Sequence, residues 1–383
     1  MHQAKINMDV EIVETNAISP ALLDAWQRLF NTSHDARFYH HPHWLQCVGN
    51  HLAPGMLKLG FVFVKDQLQM VLPIIKAGGS ARCLSHPAHD HLSLNDILIH
   101  PTLQSDGYAL LDAIAGTLSK LSHNWVEWQI ANVPHNSALI ASLALIENSI
   151  DSDNAAATNV NNQNGNLAHR WQLKPTRRSA SFQVTGNECP PHGKLRRNLR
   201  RLRKQLTQRG AIRIEHVSSP DALKTAFNHF LMVEASGWKG TSSDATAIKA
   251  TESLKLFYKA LLTPYTPGVE PEINLLWCDD QCIAVQFGLR TEHCLSLLKI
   301  GYDEQFSQFS PGYLLLESVI ENTKARGINT LSLVTSPPWA DRWHPETVPV
   351  WHVKHYNNST AGCALHHIDR LKQAAKSKLK KAA

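Results

Sequence analysis

The chain has 383 residues, 43% of them hydrophobic, with 38 Lys and Arg against 32 Asp and Glu. That composition excludes a disordered or fibrous protein and gives enough length for two ordinary domains. The +6 net charge is not spread evenly: Lys194–Arg209 holds eight basic residues and no acid, so the rest of the chain is weakly acidic and a polyanion would meet one patch. No apolar run is long enough to span a bilayer, and MHQAKINMDVEIVE has no secretory h-region, so a cytoplasmic protein is expected. The seven cysteines lack framework spacing, which fits a reducing compartment. Cys278 and Cys282 flank a hairpin turn and read as strand residues rather than metal ligands; no metal is expected.

Val10–Val13 reads as a strand and Pro20–Phe30 as a helix with Leu22, Leu23, Trp26 and Leu29 on its apolar face. FYHHPHWLQCVG (Phe38–Gly49) is a loop and short helix with core aromatics. An apolar hairpin follows at Leu57–Lys76, turning at Lys65–Asp66–Gln67 and ending at Gly78–Gly79. In HPAHDHLSLNDIL, His89 and Asp90 are a candidate acid–base pair, with His91 as the alternative histidine. Gly107–Leu121 is a helix and NWVEWQIANV a strand. Asp151–Asn166 is an Asn/Ala tract without periodicity and reads as a disordered insert. Arg170–Lys174 and Ser179–Thr185 read as two strands.

Pro190–Gly210 carries the clearest helix signal. Leu195, Leu199, Leu202 and Leu206 form one narrow stripe, and Arg196, Arg197, Arg200, Arg201, Arg203 and Lys204 cover the remaining circumference. Contact with a nucleotide's phosphates, with RNA or with anionic lipid are its functional readings; a solvated helix is the plain one. Pro220–Ser236 and Thr251–Leu262 are helices separated by Gly237–Trp238–Lys239–Gly240 and a polar loop. A second hairpin, EINLLWC and CIAVQFGLR, turns at Asp279–Asp280–Gln281.

Leu297–Leu316 is the stretch the rest is arranged around: a strand end, a polar connection and a helix start. Ser310 stands at the N-cap position and Pro311 at the first helical position, followed by Gly312. The amides of Gly312, Tyr313 and Leu314 are expected to point outward as an anion site reinforced by the helix dipole. The helix ends at Gly327, a strand follows near Thr330–Thr335, then a Pro/Trp-rich loop, a last strand at Val350–Tyr356 and a basic, fraying C-terminal helix.

The pattern occurs twice. Each half has a hairpin with an Asp-Gln turn, then an aspartate (Asp96 or Asp303), then GYALL (Gly107–Leu111) or GYLLL (Gly312–Leu316), with equal spacing from that glycine to the next strand. The order of matches predicts two copies of one α/β unit. In the first copy Asp106 precedes the glycine, and its carboxylate would repel a phosphate there. Only the second copy is therefore expected to bind a nucleotide.

The hairpin, the strand ending at Tyr302–Asp303 and the helix start resemble the GNAT acyltransferase fold. Taken in tandem, they resemble the branch containing Fem-type aminoacyltransferases and, more closely, acetyltransferase-like proteins linked to bacterial cellulose synthesis. FYHHPHWL, LRRNLRRLRKQLTQRGAI, GWKG and YDEQFSQFSPGYLLL carry that resemblance. It implies an α/β (α+β) fold of two GNAT-like domains, residues 1–188 and 189–383, each a mixed, largely antiparallel sheet flanked by helices. It also implies an acyl-coenzyme A co-substrate, no tightly bound cofactor, and a small-molecule or glycan amine as acceptor. Ser310, Gly312, Tyr313, Leu314, Arg196, Arg200 and Lys239 are the expected coenzyme contacts, and Asp303, Tyr302, Tyr313, His89 and Asp90 the catalytic candidates. An aminoacyl-tRNA donor, or a non-catalytic role beside a membrane polysaccharide synthase reached through the basic helix or tail, are the alternatives. The phosphate loop departs from the usual GNAT Gln/Arg-x-x-Gly-x-Gly/Ala: no register from Ser307 or Gln308 supplies both small residues.

Overall fold

The computed structural model describes residues 7–77, 82–144, 170–185, 189–236, 247–263 and 268–382. Gly78–Gly79, the Asp151–Asn166 insert and Lys239 with its GWKG stretch lie outside the described residues. Two compact units form, unit 1 from Met1–Ala36, Ala53–Thr176 and Pro349–Ala383, unit 2 from Arg37–Leu52 and Arg177–Val348. Each is a mixed, mainly antiparallel sheet with helices, as the repeat predicts.

Unit 1 contains β1 (Asp9–Glu14), β2 (Lys58–Val64), β3 (Gln67–Lys76), β4 (Cys83–Ser85), β5 (Leu98–Ile99) and β6 (Glu127–Pro134), with the first part of β7 (Trp171–Gln183). Unit 2 takes the rest of β7, then β8 (Ile212–Val217), β9 (Glu270–Cys278), β10 (Gln281–Arg290), β11 (Cys294–Tyr302) and β12 (Thr330–Ser332). Most of β13 (Glu346–Tyr356) belongs to unit 1. The strand order in unit 1 is β1-β2-β3-β4-β6-β13; β4–β6 is parallel and the other described pairs along it are antiparallel. In unit 2 it is β8-β9-β10-β11-β12-β7, with only β11–β12 parallel. The same sequence of pairings thus appears in both units.

Local chemistry explains the elements. The β2–β3 turn places Lys65 and Asp66 at positive φ, the conformation a two-residue hairpin with right-handed strand twist requires. Both hairpins are almost wholly buried, so their sequences are continuous apolar runs rather than alternations. In unit 1, α1 (Pro20–Thr32) is capped by Ser19, whose hydroxyl accepts from the Leu22 N–H, and buries Trp26 edge-on to Phe61. The short helices α2 (Pro42–Cys47), in unit 2, and α3 (Pro101–Gln104) follow in sequence, and α4 (Gly107–Leu121) packs Leu110, Leu111, Ile114 and Leu118 into the unit 1 core.

Helices cover both faces of the unit 2 sheet. On one, α5 (Gly193–Thr207) contributes Leu199, Leu202 and Leu206 to a core shared with Leu276, Ala284 and α8 (Pro311–Ala325). On the other, Phe287 meets Phe230 of α6 (Pro220–Glu234) and Tyr258 of α7 (Glu252–Ala260). Alternation along β10 separates the two sets. The FYHHPHWL stretch packs here as well: Trp44 meets Phe257 edge-on, and His43 Nε2 lies 3.1 Å from the Ala260 carbonyl oxygen. α9 (Thr360–Ala382) closes the chain on unit 1.

One strand reading needs correction. Trp171–Gln183 is a single strand where two were expected, because Pro175 does not interrupt it; the neighbouring Thr176 hydroxyl donates to the Val350 carbonyl.

Candidate functional site

The site stretch begins on β11. Its pairing with β10 slips between Phe287↔Lys299 and Gly288↔Leu297, so Leu298 is an extra residue on β11. Such a bulge bends a strand and re-aims the groups beyond it. Opposite it, a Cβ on Gly288 would sit 3.1 Å from the Ser296 carbonyl oxygen, so the two strands approach closely there. On the other side, β11 pairs with β12 only from Cys294 to Ser296. Beyond Ser332 the chain stays with β7, Leu333 N–H donating to Ala180 O and Ala180 N–H to Thr335 O. The bulged β11 continues with β10 to Tyr302, so two parallel neighbours part at their C-terminal ends, where open α/β sheets hold ligands.

Downstream of the parting, Asp303 caps a short turn over Glu304–Phe309. Its Oδ1 accepts from Gln305 N–H at 3.0 Å and its Oδ2 from Gln281 Nε2 at 2.9 Å. Asp303 is thus held in place as a structural acceptor. Tyr302 is 44% exposed, and its ring lies beside Gly312, where an added Cβ would meet Cδ1 at 3.8 Å. Gly312 therefore has room for a side chain, and what the position offers a ligand is an accessible backbone.

The helix start differs from expectation in two respects. Ser310 is the N-cap residue of α8 but adopts φ 51°, ψ 55°, and its hydroxyl makes no capping hydrogen bond. An extended N-cap would aim its hydroxyl at the N2 or N3 amide; the left-handed turn does not. The Ser310 carbonyl instead accepts from both Tyr313 N–H at 3.0 Å and Leu314 N–H at 3.2 Å. Those two amides do not point outward as expected, and Leu314 is buried at 1% exposure. Of the expected cradle, Gly312 and the left-handed Ser310 turn remain half-buried beside exposed Tyr302. Such sparsely populated conformations in non-glycine residues concentrate at functional sites.

Tyr313 is tied to the next loop. Its hydroxyl donates to the Trp339 carbonyl at 2.7 Å and its ring meets Trp343 edge-on; burial pushes the phenol above its ordinary range. α5 packs against the Glu304–Phe309 turn through the core that includes Leu199, Leu202 and Phe306. Arg203 donates to Glu317 of α8 at 2.8 Å, and Arg196 Nε donates to the Pro191 carbonyl at 2.9 Å. Arg197, Arg200, Arg201 and Lys204 are exposed. One arginine of the basic helix thus joins two helices, and the others offer a cationic surface.

Glu234 was not legible as part of this region. It is 3% exposed on α6, its Oε2 accepts from Ile248 N–H at 3.0 Å, and a Cβ on Gly301 of β11 would meet its Cα at 2.8 Å. Burial, and then the Glu234 charge, push the Tyr258 phenol up. The signal in the sequence was a lone acid closing an apolar helix face just before GWKG.

His89 and Asp90 belong to unit 1, both exposed; His89 Nδ1 accepts from His91 N–H at 3.1 Å. Nearby Asp96 is fully buried, accepts from Ser137 Oγ at 2.8 Å, and is pushed up to about 7 by burial. Among the described residues, no group of three or more His, Cys, Asp or Glu is placed to hold a metal ion.

Residues 193–343 match the family model described as "Acetyltransferase (GNAT) domain". No curated protein sequence matches. Among solved structures, FemX is similar at 10% identity and TM-score 0.56, over 88% of this chain and 96% of that one. L-PGS from Bacillus licheniformis is similar at 11% identity and TM-score 0.55, over 91% and 96%. The C-terminal DUF2156 domain of an Agrobacterium fabrum protein is similar at 11% identity and TM-score 0.53, over 90% and 93%. At such identities the likeness is one of fold.

Proposed function

We propose that this chain is a tandem-domain GNAT-type protein, matched to the GNAT family model over residues 193–343, in which unit 2 transfers an acyl group from a coenzyme A thioester to an amine. The observation that carries the reading is the parting of bulged β11 from β12, next to the left-handed Ser310 turn and within the stretch matched by the GNAT family model. In this reading the pantetheine lies along β11 beyond Leu298, and the pyrophosphate meets the start of α8 at Ser310–Gly312. The Gly312 amide is the group it would meet there, since the Tyr313 and Leu314 amides are bound to the Ser310 carbonyl.

The chemistry needs a neutral amine. Its nitrogen attacks the thioester carbonyl carbon, and a β11 backbone N–H past the bulge stabilises the oxyanion. Collapse breaks the C–S bond, and the thiolate takes a proton. Exposed Tyr302 is assigned as the donor, since the Tyr313 hydroxyl is already committed to Trp339. Asp303 supports the turn that carries Tyr302 to Gly312. The amine proton passes to solvent water, and Arg196, Arg200 and Lys239 are the candidates for the coenzyme's phosphates. The acceptor assigned is an amine on a small molecule or glycan of the cell envelope. Its support is the sequence resemblance to the cellulose-associated and Fem-type branch.

Calorimetric titration of acetyl-coenzyme A into wild type, Gly312→Ala and Gly312→Asp tests this. Wild type and Gly312→Ala should bind alike, because the Cβ fits. Gly312→Asp should bind at least about tenfold more weakly, since a carboxylate a few ångströms from a diphosphate costs more than 1.4 kcal/mol even near solvent. Equal binding by all three removes the assignment.

A second reading is favoured by the exposed Arg197, Arg200, Arg201 and Lys204 of α5: the acyl donor is an aminoacyl-tRNA. It requires salt-sensitive tRNA binding that is lost when Arg196, Arg197 and Arg200 are neutralised, with no coenzyme A binding by wild type.

A further inference from the structure

We propose that the C-terminal helix α9 docks unit 1 on an anionic membrane surface. Among the described side chains, one side of the helix holds it to its own unit. Asp369 Oδ2 accepts from Lys354 Nζ at 2.9 Å and from the Tyr356 hydroxyl at 2.8 Å, His366 is buried, and the His366 carbonyl accepts from Gln172 Nε2 at 3.4 Å. Those contacts fix which side faces solvent.

The solvent side is apolar where it should be polar. Ala364, Ile368, Leu371 and Ala375 recur at i, i+4, i+7 and i+11 and all are exposed, Ile368 at 46% and Leu371 at 72%. Leu371 is more exposed than any other large hydrophobic residue described. Exposed His367, Arg370 and Lys372 stand beside the stripe. A surface helix normally buries such a stripe in its own domain; here the spacing is present and turned outward. In sequence it continues at Leu379.

Charge selects the occupant. From Arg370 to the C-terminus there are six Lys and Arg and no acid. A second copy of the helix would bring these cations together without counter-charges, because Asp369 is already paired with Lys354. An RNA would meet the lysines but leave Leu371 in water. An anionic bilayer satisfies both features at once, taking the apolar residues into the headgroup boundary and the cations at lipid phosphates. Among the described residues no helix is long and apolar enough to cross a membrane, so the contact is peripheral.

The test is cosedimentation of the full chain with phosphatidylcholine vesicles, with and without about 30% phosphatidylglycerol. Wild type should pellet with the anionic vesicles and at least about tenfold less with neutral ones, and high salt should release it. Leu371→Glu should lose at least about tenfold in vesicle affinity with an unchanged melting temperature, since the residue touches little of its own fold. Lys378→Gln combined with Lys380→Gln and Lys381→Gln should weaken binding, whereas Arg197→Gln with Arg200→Gln on α5 should not. Failure to pellet with anionic vesicles overturns the proposal. So does vesicle binding by Leu371→Glu equal to wild type, a concentration-dependent dimer that Leu371→Glu abolishes, or loss of binding in the α5 variant alone. Acetyl-coenzyme A titration of the same variants reports the transferase reading separately.

Discussion

The two units use one scaffold and differ where a ligand would enter. In each, the fourth strand of the sheet pairs antiparallel with the third and parallel with the fifth, and a Gly-Tyr helix begins downstream. Unit 2's fourth strand, β11, runs nine residues, with a bulge and a free-running end. Unit 1's counterpart, β4, stops after three. A loop takes over, with Asp96 buried against Ser137. At the helix start, Asp106 Oδ1 caps α4 by accepting from Ala109 N–H at 3.0 Å, while Ser310 is left-handed and its side chain caps nothing. The sheet order survives these changes because it rests on apolar pairing. Strand length and cap chemistry are free to diverge, and they separate a closed unit from an open one.

The largest effect should come from exchanging the caps. Asp106→Ser removes the carboxylate from unit 1 but restores neither the long strand nor the bulge. Coenzyme A stoichiometry should stay at one per chain, with affinity within about twofold of wild type, while Gly312→Asp loses at least about tenfold. A second binding event in Asp106→Ser would mean that one charge alone separates the units.

Next is the buried acid that replaces the open strand. Asp96 is pushed from the ordinary carboxylate range to about 7, chiefly by burial, with its Ser137 and Ile97 hydrogen bonds opposing. A raised folded-state value means that folding favours the protonated form. Its stabilising contribution is complete below about pH 4 and is lost as pH rises toward 7. Asp96→Asn should therefore raise unit 1's stability at pH 8, by up to about 4 kcal/mol from three pH units of displacement, and change little at pH 4. Buried His86, held down to about 4 by burial, has the opposite slope: its contribution is present above about 6.5 and fades as pH falls. Comparing variant with wild type at each pH cancels it. A pH-independent gain would show that Asp96 is ionised in the fold.

Much of this contrast was legible in the residues. The duplicated order of hairpin, aspartate and Gly-Tyr helix set the fold class, since apolar runs and turn residues are local signals. The Asp106 cap was legible because Asp before a helix start has one common role. The Ser310 turn was not: Ser-Pro is a favoured N-cap dipeptide, and its left-handed backbone depends on how the Glu304–Phe309 turn enters α8. The Leu298 bulge was invisible too, because an extra leucine in LSLLKIGY looks like any apolar strand residue; only Gly288 opposite hinted at it. Packing of Arg37–Leu52 with unit 2 depends on Trp44 meeting Phe257, a pairing more than two hundred residues apart in sequence.

A smaller effect tests how closely unit 2's open strand is supported. A methyl on Gly301 would press on the Glu234 backbone at 2.8 Å, and backbone does not yield as a side-chain tip does. Gly301→Ala should cost about 1–3 kcal/mol as an overpacking change. It should also weaken acetyl-coenzyme A binding by shifting the end of β11. A stable variant with intact binding would show that α6 retreats without disturbing the strand.

The smallest effect is the most direct reading of the two helix starts. Asp106→Ala deletes a side chain that satisfies an otherwise orphaned amide, which costs about 1 kcal/mol. Ser310→Ala deletes a hydroxyl that caps nothing, so its effect should stay within about 0.5 kcal/mol. Ser310→Gly should stabilise by about 1 kcal/mol, because glycine adopts φ 51° without the Cβ penalty. Denaturant melts of the three variants give the order Gly above wild type at position 310, and Ala below wild type at position 106. If Ser310→Ala instead costs as much as Asp106→Ala, the serine hydroxyl caps α8 in solution. The helix start of unit 2 would then be as closed as that of unit 1, and the parting of β11 from β12 alone would distinguish them.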